Sequence, residues 1–202
     1  MRREELEELH YITPLENLAS ICLRGMPSHC RAQSVPHASV AMEDIQDRRS
    51  RKTVPRGRPL HEYVNLYFHA RNPMMYKRHE RHAELCVLRV NTRVLDLDGV
   101  VVTDANAAAE DSYVRFAPAP DGLRIVDKAE TFALRWTSAN YFEQCRLKSR
   151  KCAEVLVPDR VEPQFLDGVY VSCDVARATY ETMGLPLAVT VNGHLFFHQQ
   201  NG

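Results

Sequence analysis

Strand candidates in this chain are short and irregularly spaced, and helical stretches do not alternate with them; this constrains the fold more than any other feature. Runs with strand character lie at Tyr63 to Phe68, Glu84 to Val90, Val100 to Thr103, Ala153 to Val157, Gly168 to Ser172 and Leu187 to Val191. Helical patterns fall at 14 to 24, around Met42 to Arg49, between Asp127 and Leu147, and from Val175 to Met183, where Gly184 ends the last. A doubly wound parallel sheet needs strand and helix to alternate, so the pattern predicts an α+β fold. With 202 residues the chain reads as one domain, 1–202, long enough to bury a core without disulfide or metal staples.

The first helix is predicted from TPLE. Thr13 stands as N-cap, Pro14 at the first helical position and Glu16 three residues after the cap, a capping-box signature. Leu15, Leu18, Cys22 and Leu23 then recur at helical spacing until Gly25 closes the turn. From Met26 to Leu60 the chain is polar and broken by Pro27, Pro36, Pro55 and Pro59. A connection this long inside a domain is predicted to be functional or mobile.

There are 26 basic and 26 acidic side chains, so bulk charge does not hold this chain to an anionic partner; a local patch must do so. Three basic runs qualify: Arg48, Arg49, Arg51, Lys52, Arg56 and Arg58; Lys77, Arg78 and Arg81; and Arg146, Lys148, Arg150 and Lys151. Most charge runs are solvated surface, but three in a neutral protein suit phosphates. Tyr63, Tyr67, Phe68 and Tyr76 interleave with the second run and can stack on a nicotinamide or an unstacked base. The plainer reading puts Val64, Leu66 and Phe68 on the buried face of a strand with Tyr63 and Tyr67 at its rim, and both readings fit a two-faced strand.

Several classes are disfavoured. No GxGxxG or GxxxxGK[ST] occurs, which argues against a Rossmann site or a P-loop. The six cysteines form no CxxC pair, and His79/His82 and His194/His198 have metal-like spacing without a third ligand, so no metal is expected. No apolar run approaches a membrane span and MRREELEELH is unlike a signal peptide, which predicts a cytoplasmic protein with no membrane partner. Glu154 heads the apolar run EVLVP directly behind a basic cluster. On a strand it would share a face with Cys152 and Leu156, where desolvation raises its pKa and the basic run lowers it.

Five blocks, HYITPLENLASICLRGMPSH, QDRR at Gln46 to Arg49, HEYVNLYFHARNPMMY, TDANAA and KCAEVLVP, resemble in that order the DarT family of NAD-dependent single-stranded-DNA ADP-ribosyltransferases, through GHLFF near the end. The resemblance implies an ADP-ribosyltransferase fold, two small antiparallel sheets with flanking helices around an NAD cleft. It implies NAD as co-substrate, a thymine or guanine of single-stranded DNA as acceptor, and a macrodomain antitoxin as partner.

It also assigns residues. Thr13 and Asn17, with His10 or Tyr11 beside them, would contact NAD; Arg49 or Arg48 would hold its pyrophosphate, arginine suiting phosphate by its planar fork. Tyr67, Asn72, Met75 and Tyr76 would line the nicotinamide pocket and the neighbouring DNA groove. Ala105 stands where relatives have glycine in the TDANAA block. Glu154 matches the catalytic glutamate, a carboxylate that stabilises an oxocarbenium-like transition state and takes a proton from the attacking base. Met75, Arg78, Arg81, Arg146, Lys148, Arg150 and Lys151 are the DNA-contacting candidates. The alternatives are a transferase acting on RNA or protein, and a non-catalytic nucleic-acid-binding module.

Overall fold

The computed structural model describes residues 1–33, 37–38, 43–110 and 113–198. In chain order the elements are β1 (Leu9–Pro14), α1 (Leu18–Arg24), β2 (Met26–Pro27), α2 (His29–Ala32), α3 (Glu43–Ser50), β3 (Tyr63–Tyr67), α4 (Pro73–Tyr76), β4 (Leu85–Val90) and β5 (Val101–Thr103). There follow β6 (Phe116–Pro118), α5 (Lys128–Phe132), α6 (Tyr141–Lys151), β7 (Glu154–Pro158), β8 (Arg160–Val161), β9 (Leu166–Val171), α7 (Asp174–Glu181) and β10 (Val189–Val191).

The main sheet runs β10-β9-β4-β1-β3-β7-β5-β6, and β2 with β8 makes a separate ribbon. Every ladder in it is antiparallel except β9–β10. The α+β expectation therefore holds, while the expected two small antiparallel sheets give way to one sheet of eight strands plus a ribbon of two. The reason lies at the centre: β1 and β3 share one residue pair, His10 opposite Tyr67, which stitches two four-stranded halves together.

Alternation explains the halves. Val64 and Leu66 of β3 and Val155 and Val157 of β7 face the largest core cluster, joined there by Leu18 and Ile21 of α1 and by Ala176 and Tyr180 of α7. On the other side Ile12, Met75, Leu85, Val87 and Phe196 form a second cluster. Tyr63, expected at the rim of β3, is buried with Val54, Leu60 and Leu156 in a third cluster.

The N-terminal expectation also needs correction. Thr13 is not an N-cap: it lies in β1, a single 3-10 turn spans Leu15–Asn17, and α1 begins only at Leu18. The Thr13 hydroxyl accepts from Asn17 Nδ2 at 3.0 Å instead of from a helix amide. Pro14 fits a strand end as well as a helix start, and β1 is buried almost continuously, which removes the period-two signal that would have marked it. Gly25 does end α1, at φ 78°, and a Cβ there would lie 2.3 Å from the Val161 carbonyl oxygen, so only glycine fits. The helix expected around Met42 to Arg49 is α3, although Met42, like Pro36, lies outside the described residues.

Candidate functional site

Beyond the His10–Tyr67 pair the two halves of the sheet part, and a cleft of about 260 Å³ opens between them. Tyr11 and Thr13 line it from β1, Tyr63, Asn65 and Tyr67 from β3, and Met74, Lys77 and Arg78 from in and just after α4. The long connection after α1 forms the remaining wall with His29, Ala38, Gln46 and Arg49. Asn17 fastens that wall: its Nδ2 donates to Ala38 O at 2.7 Å and its Oδ1 accepts from Ala38 N at 3.0 Å.

Arg49 joins this lining to a buried partner, Glu154, which is not itself among the residues that line the cleft. Glu154, opposite Tyr67 in the β3–β7 register, is 1% exposed and Arg49 is 5% exposed. Arg49 Nη1 donates to Glu154 Oε2 at 3.0 Å. Burial pushes the Glu154 carboxyl above its ordinary value, and the Arg49 guanidinium opposes this without cancelling it. The sequence left desolvation and a basic neighbour in contest; desolvation wins, and the opposing charge is Arg49 rather than the run before Glu154. Burial, and next the Glu154 charge, push the Tyr67 hydroxyl up as well, so it is a neutral donor at physiological pH.

Glu154 is held by its own backbone. Its N–H donates to Thr103 Oγ1 at 3.1 Å, and the Thr103 hydroxyl donates to Ala105 O at 2.7 Å. The next residue, Asp104, is fully buried and paired with Arg115 and Arg150, while Asn106 N–H donates to Ser149 O at 2.9 Å. The TDANAA loop thus locks α6 and the first residue of β7 into one unit. Cys152 caps α6 rather than belonging to the strand, so it does not share a strand face with Glu154.

Two polar atoms on cleft-lining residues, Arg49 Nη2 and Gln46 Oε1, are buried with no hydrogen-bond partner among the described residues. Leaving such donors and acceptors unpaired is costly, and a polar ligand in the cleft relieves the cost. Nearby, the rings of His29 and His61 lie 4.1 Å apart. Burial first, then neighbouring positive groups, depress both, so the pair is neutral at pH 7. Among the described residues no cluster of three or more His, Cys, Asp or Glu is placed to hold a metal ion.

The residues singled out from sequence divide. Tyr11, Thr13, Asn17, Arg49, Tyr67 and Arg78 line the cleft. His10 does not: it is buried, with Nδ1 accepting from Ala70 N–H and Nε2 bonded to Glu8, so of His10 and Tyr11 it is the tyrosine that faces the cleft. Arg48 turns outward to Asp44, leaving Arg49 as the arginine inside. Asn72 caps α4 through Met75 N–H, and Met75 itself is wholly buried, out of reach of a macromolecule. Tyr76 stands outside the cleft lining and is 52% exposed.

The third basic run is mostly spoken for. Arg146 pairs with Glu130 and Glu143, Arg150 with Asp104, and Lys151 is 1% exposed with its ammonium donating to His69 Nδ1 and Thr131 O. Only Lys148 projects into solvent, and Arg81 of the second run pairs with Glu84 at the surface. Sequence reasoning missed His29, Asn65 and Asn106 as cleft residues. Asn65 was findable, since it is the polar middle of the alternating Tyr63–Asn65–Tyr67 face; His29 and Asn106 carry no periodic signal and were marked only by lying within the HYITPLENLASICLRGMPSH and TDANAA blocks.

A family model described as "ssDNA thymidine ADP-ribosyltransferase, DarT" matches residues 10–197. A DNA ADP-ribosyl transferase–DNA ADP-ribosyl glycohydrolase fusion protein of Thermosipho africanus is 29% identical over 170 residues, which is 82% of this chain and 42% of the fusion. A DNA ADP-ribosyl transferase of Thermus aquaticus is 27% identical over 187 residues, 87% of this chain and 79% of that protein. Among solved structures, Thermosipho africanus DarTG in complex with ADP-ribose superposes with a TM-score of 0.81 at 26% identity, over 95% of this chain and 51% of that one. Thermus sp. 2.9 DarT in complex with ADP-ribosylated ssDNA shares the fold at a TM-score of 0.82 and 24% identity, covering 97% of this chain and 99% of that one. The chain spans about half the length of the fusion proteins it matches.

Proposed function

The chain belongs to the DarT family, and from that premise we propose that it moves ADP-ribose from NAD onto a base of single-stranded DNA, thymine being the base named for the family, with release of nicotinamide. The observation that carries this reading is the buried Arg49–Glu154 pair, in which Arg49 lines the cleft, its Nη1 is bonded to the carboxylate and its Nη2 has no partner among the described residues. The split sheet is read as an ADP-ribosyltransferase fold, and 1–202 as one catalytic domain.

NAD, when bound, supplies a ribose carbon whose bond to nicotinamide breaks while positive charge builds on the sugar. Glu154 lies in a low-dielectric site, where a carboxylate stabilises such charge far better than in water. The same carboxylate accepts the proton that the base nitrogen sheds as it bonds to the sugar. Arg49 favours the ionised carboxylate against the effect of burial, aims it through Nη1, and offers Nη2 to a phosphate oxygen. Tyr11 and Tyr67 supply aromatic walls, and Asn17, bonded to both Thr13 and Ala38, holds the long connection against the cleft.

The acceptor must be unstacked to approach a carboxylate so deeply buried, which favours single-stranded over duplex DNA. Lys77 and Arg78 line the cleft on the α4 side and are the cations best placed for the DNA backbone near the acceptor, with Lys148 farther out. A glycohydrolase of the kind fused to the Thermosipho relative, expected to be a macrodomain, is the partner that would reverse the mark, and a DNA target fits a cytoplasmic enzyme.

The test is an acceptor panel. The protein is incubated with NAD and, separately, single-stranded DNA, duplex DNA, RNA and a protein mixture, and each is examined by mass spectrometry for added ADP-ribose. Adduct on single-stranded DNA alone is expected; adduct on RNA or protein instead would overturn the proposal.

A further inference from the structure

Beside the cleft, on the far side of α4, three rings from three separate segments meet at the surface. Tyr76 and Phe197 lie 5.1 Å apart at 76°, Tyr76 and Trp136 5.9 Å apart at 79°, and Trp136 and Phe197 5.8 Å apart at 88°. Mutually perpendicular rings at these distances make favourable edge-to-face contacts and leave a corner whose walls are π-faces. His79 stacks on Tyr76 at 5.2 Å and 12°. The group stands at the edge of the core: Phe197 packs against the second cluster, Tyr76 is more than half exposed, and Trp136 and Phe197 are half-buried. Phe197 takes a left-handed backbone, φ 59°, which a bulky residue seldom adopts, with its N–H bonded to His194 O.

An open aromatic corner suits either a flat, electron-poor ring or an alkylated ammonium cation. Charge decides between them. The Arg71 guanidinium already sits 3.9 Å over the Phe197 ring, and Arg135, exposed beside Trp136, has no hydrogen bond or ion pair among the described residues. Cations gathered here repel a second cation and attract a phosphate. The corner is also close to the chemistry: Met74 and Lys77, two residues before and one after Tyr76, line the cleft, and one helical turn is about 5.4 Å.

We infer that the Tyr76–Trp136–Phe197 corner is a stacking site for the base next to the acceptor nucleotide of a single-stranded DNA, with Arg135 meeting its phosphate. The inference rests on the proposed DNA acceptor. It makes Trp136 and Tyr76 specificity residues, because removing a neighbouring base removes the stack while leaving the backbone charge unchanged.

The experiment uses oligonucleotides of constant length that carry the acceptor base and, at each adjoining position in turn, either a base or an abasic site. Wild type is expected to lose about tenfold in kcat/KM when one adjoining base is removed, the size of a single base–aromatic stack. Trp136→Ala should act on both substrates at the wild type's abasic rate, while Trp136→Phe keeps the discrimination and, with thermal melting, guards against a folding artefact. Indifference of wild type to every adjoining base, or a Trp136→Ala enzyme that is slower on both substrates yet still discriminates tenfold, would overturn the inference. Binding of a trimethyl-lysine peptide that Trp136→Ala abolishes would assign the corner to a cation and overturn it too. No transfer to any single-stranded DNA by wild type would remove the functional reading itself, a distinguishable failure.

Discussion

Glu154 and Arg49 are 105 positions apart in sequence and 3.0 Å apart in space. A carboxylate sunk this deeply survives only if paired, and losing one partner of such a pair typically costs about 3–5 kcal/mol. Because burial raises the Glu154 pKa, the carboxylate forms only above the ordinary glutamate range. The acid limb of kcat against pH should therefore lie above that range, and Arg49→Ala should move it higher still by removing the one counter-charge. A limb at or below the ordinary glutamate value in wild type would contradict the burial argument. The sign for stability is opposite: within that window the folded state binds more protons than the unfolded one, so this group's contribution to stability falls as pH rises. The blocks that carry the family resemblance made Glu154 legible in the sequence. Its pairing with Arg49 in place of Arg48 was not, because two adjacent arginines on a short helix differ only in which way they face.

At the scale of elements, the helices and strands with strong period were legible: β3, β4, β7 and β9 lie within a residue or two of where alternation puts them. β1 was not, since it is buried almost throughout and runs into a proline that also fits a helix start. The third basic run misled for a related reason. A helix C-terminus attracts cations whether or not they face solvent, and Lys151 is drawn inside, where burial lowers its pKa to about 8. Between that value and the ordinary lysine value near 10.5 the unfolded chain binds the extra proton, so stability from this group should rise with pH. Urea unfolding at pH 7.5 and pH 10.5 should show Lys151→Met losing up to about 3 kcal/mol of its advantage over wild type, the linkage value of the full shift. A gap that does not change with pH would mean that the ammonium is solvated.

The whole molecule combines a neutral net charge with a cleft between two half-sheets joined at one residue pair. Among the described residues the cations that line the cleft are Arg49, Lys77 and Arg78, so binding there should weaken only shallowly with salt. Arg78→Ala should reduce the slope of log K against log salt by about 0.7, the value for one phosphate contact on a single strand, whereas Lys151→Ala should leave it unaltered. An unchanged slope in Arg78→Ala would take the α4 side of the cleft out of the DNA path. The α+β class could be read from irregular strand spacing, but the split could not, because a single bridge between β1 and β3 leaves no mark on periodicity. The proposed function turns on the carboxylate that Arg49, a residue of the cleft lining, holds at 3.0 Å. Single-turnover transfer from NAD to single-stranded DNA, with NAD binding measured alongside, compares wild type with Glu154→Gln most directly. The transfer rate is expected to fall by at least about a hundred- to a thousand-fold, the loss typical of one transition-state stabilising group, with the Kd for NAD within a few-fold of wild type. Transfer at near wild-type rate in Glu154→Gln would contradict the assignment of that carboxylate to the chemistry.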